Sequence, residues 1–236
     1  MNPGPVILAG GAEFDERMAD ADRVWLAARG MFRPRLGVFP TANTERPDRA
    51  AANGVSHFRR LVTHSEAVLV TSRDTASDER ILEQVSKLDY AYFAGGEPLY
   101  LAETLAGSQV WAALLAAWRQ GMGLGGSSAG AMAMCQAIYV REQWGAALAL
   151  VPGVVCLPHF NRRDAGAVEQ ARRALTARGL VGLGIDESTA LVWKAGEGWR
   201  AAGRGRVTLL TAEDLSFYQN GPIEHLPEPE APDMAI

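Results

Sequence analysis

Met122-Gly123-Leu124-Gly125-Gly126-Ser127-Ser128-Ala129-Gly130-Ala131 runs from a short glycine-rich apolar segment into a G-x-S-x-G turn, then into an Ala/Met-rich stretch ending near Ala137. Strand, sharp turn and helix in that order form the setting of a nucleophile elbow. Small residues on both sides let the backbone bend tightly and leave the Ser128 hydroxyl exposed. The helix start behind it offers unpaired backbone N–H groups and the positive end of the helix dipole, which suits a developing oxyanion. A tight turn without a nucleophile, or a phosphate cradle, would use similar residues. No G-K-[ST] follows, which speaks against the cradle.

Upstream of this turn, short apolar runs alternate with amphipathic stretches. Val6-Ile7-Leu8-Ala9 stops at Gly10-Gly11, and Leu36-Gly37-Val38-Phe39 stops at Pro40. Ala67-Val68-Leu69-Val70 and Tyr90-Ala91-Tyr92-Phe93 follow, and Met122 to Leu124 is a fifth, weaker run. None alternates strictly with polar residues, as expected of strands buried on both faces of a parallel sheet. Ala51, Val55, Phe58 and Val62 after Pro47, and Trp111, Leu114, Leu115 and Trp118 between Ser108 and Gln120, share helical spacing. The tryptophans read as core. The β-α-β order predicts an α/β fold with a doubly wound, mostly parallel sheet of the flavodoxin-like kind.

The second half is less regular. Val154 to Leu157, Val181 to Ile185, Ala190 to Trp193 and Val207 to Leu210 are strand-like, Lys194 to Trp199 reads as a hairpin turn, and Arg162 to Arg178 has helical spacing. Residues 1–219 are expected to form one domain, and 220–236 a loosely ordered, Pro-rich acidic tail.

The 236 residues, 48% hydrophobic and 21% charged, fit a globular chain able to bury a large core without staples. A net charge of −4 argues against a general nucleic-acid binder. Cys135 and Cys156 have no metal or disulfide spacing and read as buried thiols. No basic leader and no long apolar run occur, so a cytoplasmic location with no membrane partner is expected. No metal or organic cofactor is called for. Composition does not fix the oligomeric state; a homodimer is compatible with it.

A serine nucleophile needs a base, and there are four histidines. His57 and His64 lie on or just after an amphipathic helix, at its expected surface, and His225 is in the tail. His159 ends the run Leu157-Pro158-His159-Phe160, a strand end suited to general base work. The base needs an orienting carboxylate. Asp186-Glu187 ends the run Val181 to Ile185, and only one of the two can point at His159. Asp164 is too close to His159 in sequence. The oxyanion needs a second donor besides the Ala129 N–H. Phe93-Ala94-Gly95-Gly96-Glu97 leaves the strand expected beside the elbow, and Gly96 is the preferred donor. Gly10-Gly11 would serve similarly, or simply turn the chain.

Gly95-Gly96 with Leu101, Gly126-Ser127-Ser128-Ala129-Gly130-Ala131, Pro158-His159-Phe160, and Gly184-Ile185-Asp186-Glu187 with Thr189-Ala190-Leu191 together resemble the serine peptidases that contain aspartyl dipeptidase (peptidase E) and cyanophycinase. The resemblance spans about Leu8 to Trp193. It implies a fold similar to class I glutamine amidotransferases, with serine in place of their cysteine. It implies Ser128 as nucleophile, His159 as base, and Gly96 and Ala129 as oxyanion donors. The dipeptidase branch has an aspartate shortly after the elbow helix, where this chain reads Arg141-Glu142-Gln143. The cyanophycinase branch uses the glutamate of G-I-D-E, here Glu187. Glu187 is therefore expected as third member, with Glu142 in reserve. Leu157-Pro158 before His159 is closer to the dipeptidase's N-P-H-Y.

The family favours an acidic residue, usually aspartate, on the acyl side, which calls for a guanidinium partner. Arg162, Arg163, Arg172 and Arg173 follow His159, and Arg172 and Arg173 are the candidates for it, although a solvated helix face would look the same. Glu97 could hold a substrate α-amino group, or simply be a first-turn helix acid. The expected activity is an aspartyl dipeptidase acting on small acidic peptides through a Ser–His–Glu triad. The alternatives are hydrolysis of β-linked aspartyl peptides, as by cyanophycinase, an esterase with His225 as base, and a binding module that does no chemistry.

Overall fold

The computed structural model describes residues 2–61 and 64–232. In chain order its elements are β1 (Val6–Ala9), α1 (Ala19–Ala27), β2 (Arg35–Phe39), α2 (Pro47–Phe58), β3 (His64–Ala67), α3 (Glu79–Val85), β4 (Tyr90–Phe93), α4 (Pro98–Leu105), α5 (Gln109–Arg119), β5 (Gly123–Ser127), α6 (Ala129–Met134), β6 (Ala137–Val140) and β7 (Gln143–Ala146). There follow β8 (Val154–Leu157), α7 (Ala165–Thr176), β9 (Val181–Ile185), β10 (Thr189–Lys194), β11 (Gly198–Gly203), β12 (Val207–Leu210), β13 (Leu215–Tyr218) and β14 (Gly221–Ile223).

The main sheet runs β14-β11-β10-β1-β5-β4-β2-β3. Its β1, β5, β4, β2 and β3 are parallel, and the other three add an antiparallel wing. Successive side chains alternate between two covered faces. Val6, Leu8, Phe39, Ala91, Phe93 and Leu124 pack with Trp111, Leu114, Leu115 and Trp118 of α5. Ile7, Ala9, Leu36, Val38, Tyr90 and Tyr92 pack with Trp25 and Leu26 of α1 and Phe58 of α2. Both faces are dry, which is why these strands read as unbroken apolar runs.

A second sheet, β13-β12-β9-β8, lies over the first face and shares its core through Cys156, Leu183, Ile185 and Val207. Its β8 and β9 are parallel neighbours, with Leu157 opposite Gly184. The residues just beyond both strands therefore emerge together. Cys135 and Cys156 are free and buried. Burial pushes the Cys135 thiol up to about 12 and that of Cys156 well above its ordinary value, so neither is a nucleophile at neutral pH.

Several boundaries differ from the sequence expectation. The run Ala67 to Val70 is mostly not strand: β3 ends at Ala67, where its register with β2 ends. Val68 N–H still donates to the Val38 carbonyl at 2.9 Å, but Val68 and Val70 are fully buried as loop residues, so that run reported burial more than strand. Strand β5 extends to Ser127, past the expected Leu124, despite its glycines. Helix α6 stops at Met134, and Ala137 begins β6. The segment after Asn220 is tied down rather than loose: β14 pairs with β11, Trp199 Nε1–H donates to the Pro227 carbonyl at 2.8 Å, and Glu230 N–H donates to the Leu150 carbonyl at 2.8 Å. Val62 and residues 233–236 lie outside the described residues. Among the described residues, no helix is long and apolar enough to cross a membrane.

Candidate active site

Strand β5 sits between β1 and β4 and delivers Ser128 to the carboxyl edge of the sheet. Ser128 has φ 50° and ψ −109°, a conformation that non-glycine residues rarely adopt. The bend throws its side chain off the strand axis and starts α6 at Ala129. The price of the strain is met by anchoring: Ser128 N–H donates to the Ala9 carbonyl at 3.0 Å, and the Ser128 carbonyl accepts from Met132 N–H at 2.9 Å.

The second sheet brings the expected base and the carboxylate beside it. His159 follows β8, and Glu187 follows β9. Ser128 Oγ lies 3.1 Å from His159 Nε2, and His159 Nδ1 lies 2.7 Å from Glu187 Oε1. The line is continuous if Ser128 Oγ–H donates to Nε2 and Nδ1–H donates to the carboxylate. Asp186, the other acid of the pair, is turned away and accepts from Arg206 N–H at 3.1 Å. Burial would raise the Glu187 carboxyl, but the hydrogen bond from His159 and the charge of Arg162 outweigh it and hold it below the ordinary carboxylate range. Glu187 is therefore ionised at neutral pH, the state needed to steady an imidazolium.

The two loops grip each other. Arg162 Nη2 donates to Glu187 Oε1 at 2.9 Å, and Glu187 N–H donates to Asn161 Oδ1 at 3.0 Å. Below them is the Gly10-Gly11 turn. His159 N–H donates to the Gly10 carbonyl at 2.7 Å, and Ser188 N–H donates to the Gly11 carbonyl at 3.2 Å. Gly11 has φ +119°, and a Cβ there would lie 2.3 Å from His159 Cε1. The turn is thus a seat for the imidazole.

Beyond β4, Gly96 has φ +146°, and a Cβ there would lie 2.1 Å from the Ala42 carbonyl oxygen. Among the described residues the Gly96 and Ala129 N–H groups have no hydrogen-bond acceptor. The neighbouring Gly95 N–H donates to Glu13 Oε1 at 3.0 Å, and Ser127 Oγ–H donates to Glu13 Oε2 at 3.0 Å. Glu13 so latches the Gly95-Gly96 loop to the elbow. The sequence reading missed it, although an acid two residues after a strand-ending Gly-Gly was visible. It also missed Asn161.

Other expected residues are elsewhere. Glu142 forms, with Arg141, the two-residue turn between β6 and β7; both have positive φ, as a type I′ hairpin turn requires. Arg172 and Arg173 are not directed at Ser128. Both pair with Glu169, at 2.8 and 2.7 Å, and Arg172 also donates to the Thr211 and Ala212 carbonyls. Helical i,i+3 and i,i+4 spacing explains this, because a carboxylate one turn away captures them first. Arg163 is half-buried, and its Nε has no partner among the described residues. Glu97 is exposed at the N-cap position of α4 and makes no side-chain cap bond. His225 is 93% exposed. His57, expected at the surface, is buried against Asp22. Among the described residues there is no cluster of three or more metal-ligating side chains.

The arrangement can deprotonate a hydroxyl, stabilise an oxyanion and return a proton, which is the equipment of acyl transfer. The comparisons with known proteins agree. The family model described as Peptidase family S51 matches residues 6–199. A cyanophycinase of Synechococcus elongatus is 28% identical over 228 residues, covering 91% of this chain and 70% of that relative. A cyanophycinase of Geminocystis herdmanii is 27% identical, covering 92% and 84%. The crystal structure of a peptidase from an acI-B1 Actinobacterium superposes with a TM-score of 0.81 at 26% identity, covering 93% of this chain and 96% of that one. A putative peptidase E from Listeria monocytogenes EGD-e, at 15% identity and TM-score 0.58, shares the fold. With the family model spanning most of the chain, this protein belongs to peptidase family S51 and is a serine peptidase.

Proposed function

We propose that the protein hydrolyses short acidic peptides, with aspartyl dipeptides (Asp-X) as its preferred substrates, through a Ser128–His159–Glu187 triad. The observation that carries the chemistry is the unbroken line from Ser128 Oγ through the imidazole to Glu187, at 3.1 and 2.7 Å.

His159 Nε2 accepts the Ser128 proton as Oγ attacks the scissile carbonyl. Glu187 fixes the tautomer and steadies the positive ring. The Gly96 and Ala129 N–H groups receive the oxyanion, each supplying roughly 3–4 kcal/mol of transition-state stabilisation. The imidazolium then protonates the leaving amine, and water, deprotonated by the same ring, releases the acyl group from Ser128.

Acidic specificity is supported by the resemblance to the aspartyl dipeptidases. The alternative, hydrolysis of β-linked aspartyl peptides, is favoured by the curated relatives, which are named cyanophycinases. A panel of Asp-X, β-Asp-X and neutral dipeptides separates the two. Asp-X should be cleaved fastest, with Glu187→Gln lowering kcat by about 10⁴-fold and Glu142→Gln leaving it unchanged. Preferential cleavage of β-Asp-X would transfer the assignment to the alternative. A silent Glu187→Gln with a dead Glu142→Gln would overturn the triad.

A further inference from the structure

A cleft of about 320 Å³ opens beside the oxyanion loop, between the loop after β1 and the first turns of α2. Its inner wall is Gly95 and Glu13. A Cβ on Gly95 would stand 2.4 Å from Glu13 Oε1 and 3.4 Å from Ser128 Cβ, so the inner wall adjoins the elbow, although Ser128 itself does not line the cleft. Its outer wall carries Arg46 and Arg49, with Asn53 one helical turn further on and the acid Glu45 at its edge. Neither guanidinium has a carboxylate within 4.0 Å among the described residues, unlike Arg162, Arg172 and Arg173. None of the lining residues comes from the loops that carry His159 and Glu187.

We infer that this cleft is the acyl-side subsite and holds a zwitterionic residue, its ammonium on Glu13 and its free carboxylate on Arg46 and Arg49. The inference rests on the acyl-transfer reading above and adds where the substrate lies. The leaving nitrogen must face His159 to be protonated, so the acyl residue is directed the other way, along the oxyanion loop. Each Glu13 oxygen accepts one hydrogen bond, from Gly95 N–H or Ser127 Oγ–H, and keeps a lone pair for an ammonium. In an N-terminal aspartyl residue the ammonium is adjacent to the attacked carbonyl, and the carboxylate extends beyond it. That order matches Glu13 inside and the arginines outside. A β-linked aspartyl residue also carries one ammonium and one carboxylate, so the cleft suits either linkage.

The test compares Asp-X, Asn-X and N-acetyl-Asp-X on wild type and on the double variant Arg46→Gln/Arg49→Gln, with β-Asp-X and β-linked analogues blocked at the amine or amidated at the carboxylate as a parallel arm. In wild type, acetylation should lower kcat/KM by at least about 100-fold, and the free carboxylate should be preferred over its amide by a similar factor. The double variant should lose that preference, bringing acid and amide within about threefold of each other, while still rejecting the acetylated peptide. A double variant that keeps the full preference, or a wild type that tolerates acetylation, overturns the subsite and leaves the peptidase reading intact. A wild type that cleaves none of the aspartyl peptides in either arm overturns the acidic-peptide reading itself.

Discussion

His57 and His159 each have a ring nitrogen 2.7 Å from a carboxylate oxygen, Asp22 Oδ2 and Glu187 Oε1 respectively. In both pairs the contact ties two segments together, α1 to α2 in one and the β8 loop to the β9 loop in the other. Their surroundings differ. His57 and Asp22 are each 2% exposed, under Phe14 and Phe58. Among the described residues the other nitrogen of His57 meets only the Arg60 guanidinium, at 3.4 Å, a group with no proton to give up at working pH. Burial pushes the Asp22 carboxyl up despite its hydrogen bond to His57, and Asp22 Oδ1 has no partner among the described residues. His159 is 37% exposed, and its free nitrogen faces a hydroxyl. An acid–imidazole pair therefore does chemistry only where a third, proton-bearing group and a path for substrate are present; without them it is a staple.

The sharpest way to break this comparison is to remove each ring. His159→Ala should lower kcat by about 10⁶-fold, with little change in the urea midpoint. His57→Ala should leave kcat of the folded enzyme near wild type but destabilise it by about 3–5 kcal/mol, because it strands a buried carboxylate. Equal losses of stability, or a catalytic defect in folded His57→Ala, would erase the distinction. A smaller effect tests the seat of the working imidazole. Gly11→Ala places a methyl 2.3 Å from His159 Cε1 and should cut kcat by about 10²-fold by displacing the ring. Retained activity would show that the turn does not set the position of the base.

The legible part of the molecule was the part governed by local rules. The buried parallel strands, the α5 face built on Trp111 and Trp118, and the elbow each announce themselves through period or motif within a dozen residues. Ser128, His159 and the Asp186-Glu187 pair could be nominated because strand ends are where loops converge; the choice of Glu187 within that pair came from the family resemblance. What stayed hidden depends on partners distant in sequence. His57 sits on a helix whose spacing looks amphipathic, and only Asp22, 35 residues earlier, explains its burial. Glu13 acquires its role from Gly95, in the loop after β4, and from Ser127, the last residue of β5. Arg172 and Arg173 are the exception: Glu169, three and four residues earlier on the expected helix, was a local partner that the spacing already offered.

The most direct test of the central claim is covalent labelling by a fluorophosphonate, read by peptide mass spectrometry. The account predicts one adduct, on Ser128, absent in Ser128→Ala and formed far more slowly in His159→Ala. An unlabelled wild type, or an adduct on Ser127 instead, would contradict it.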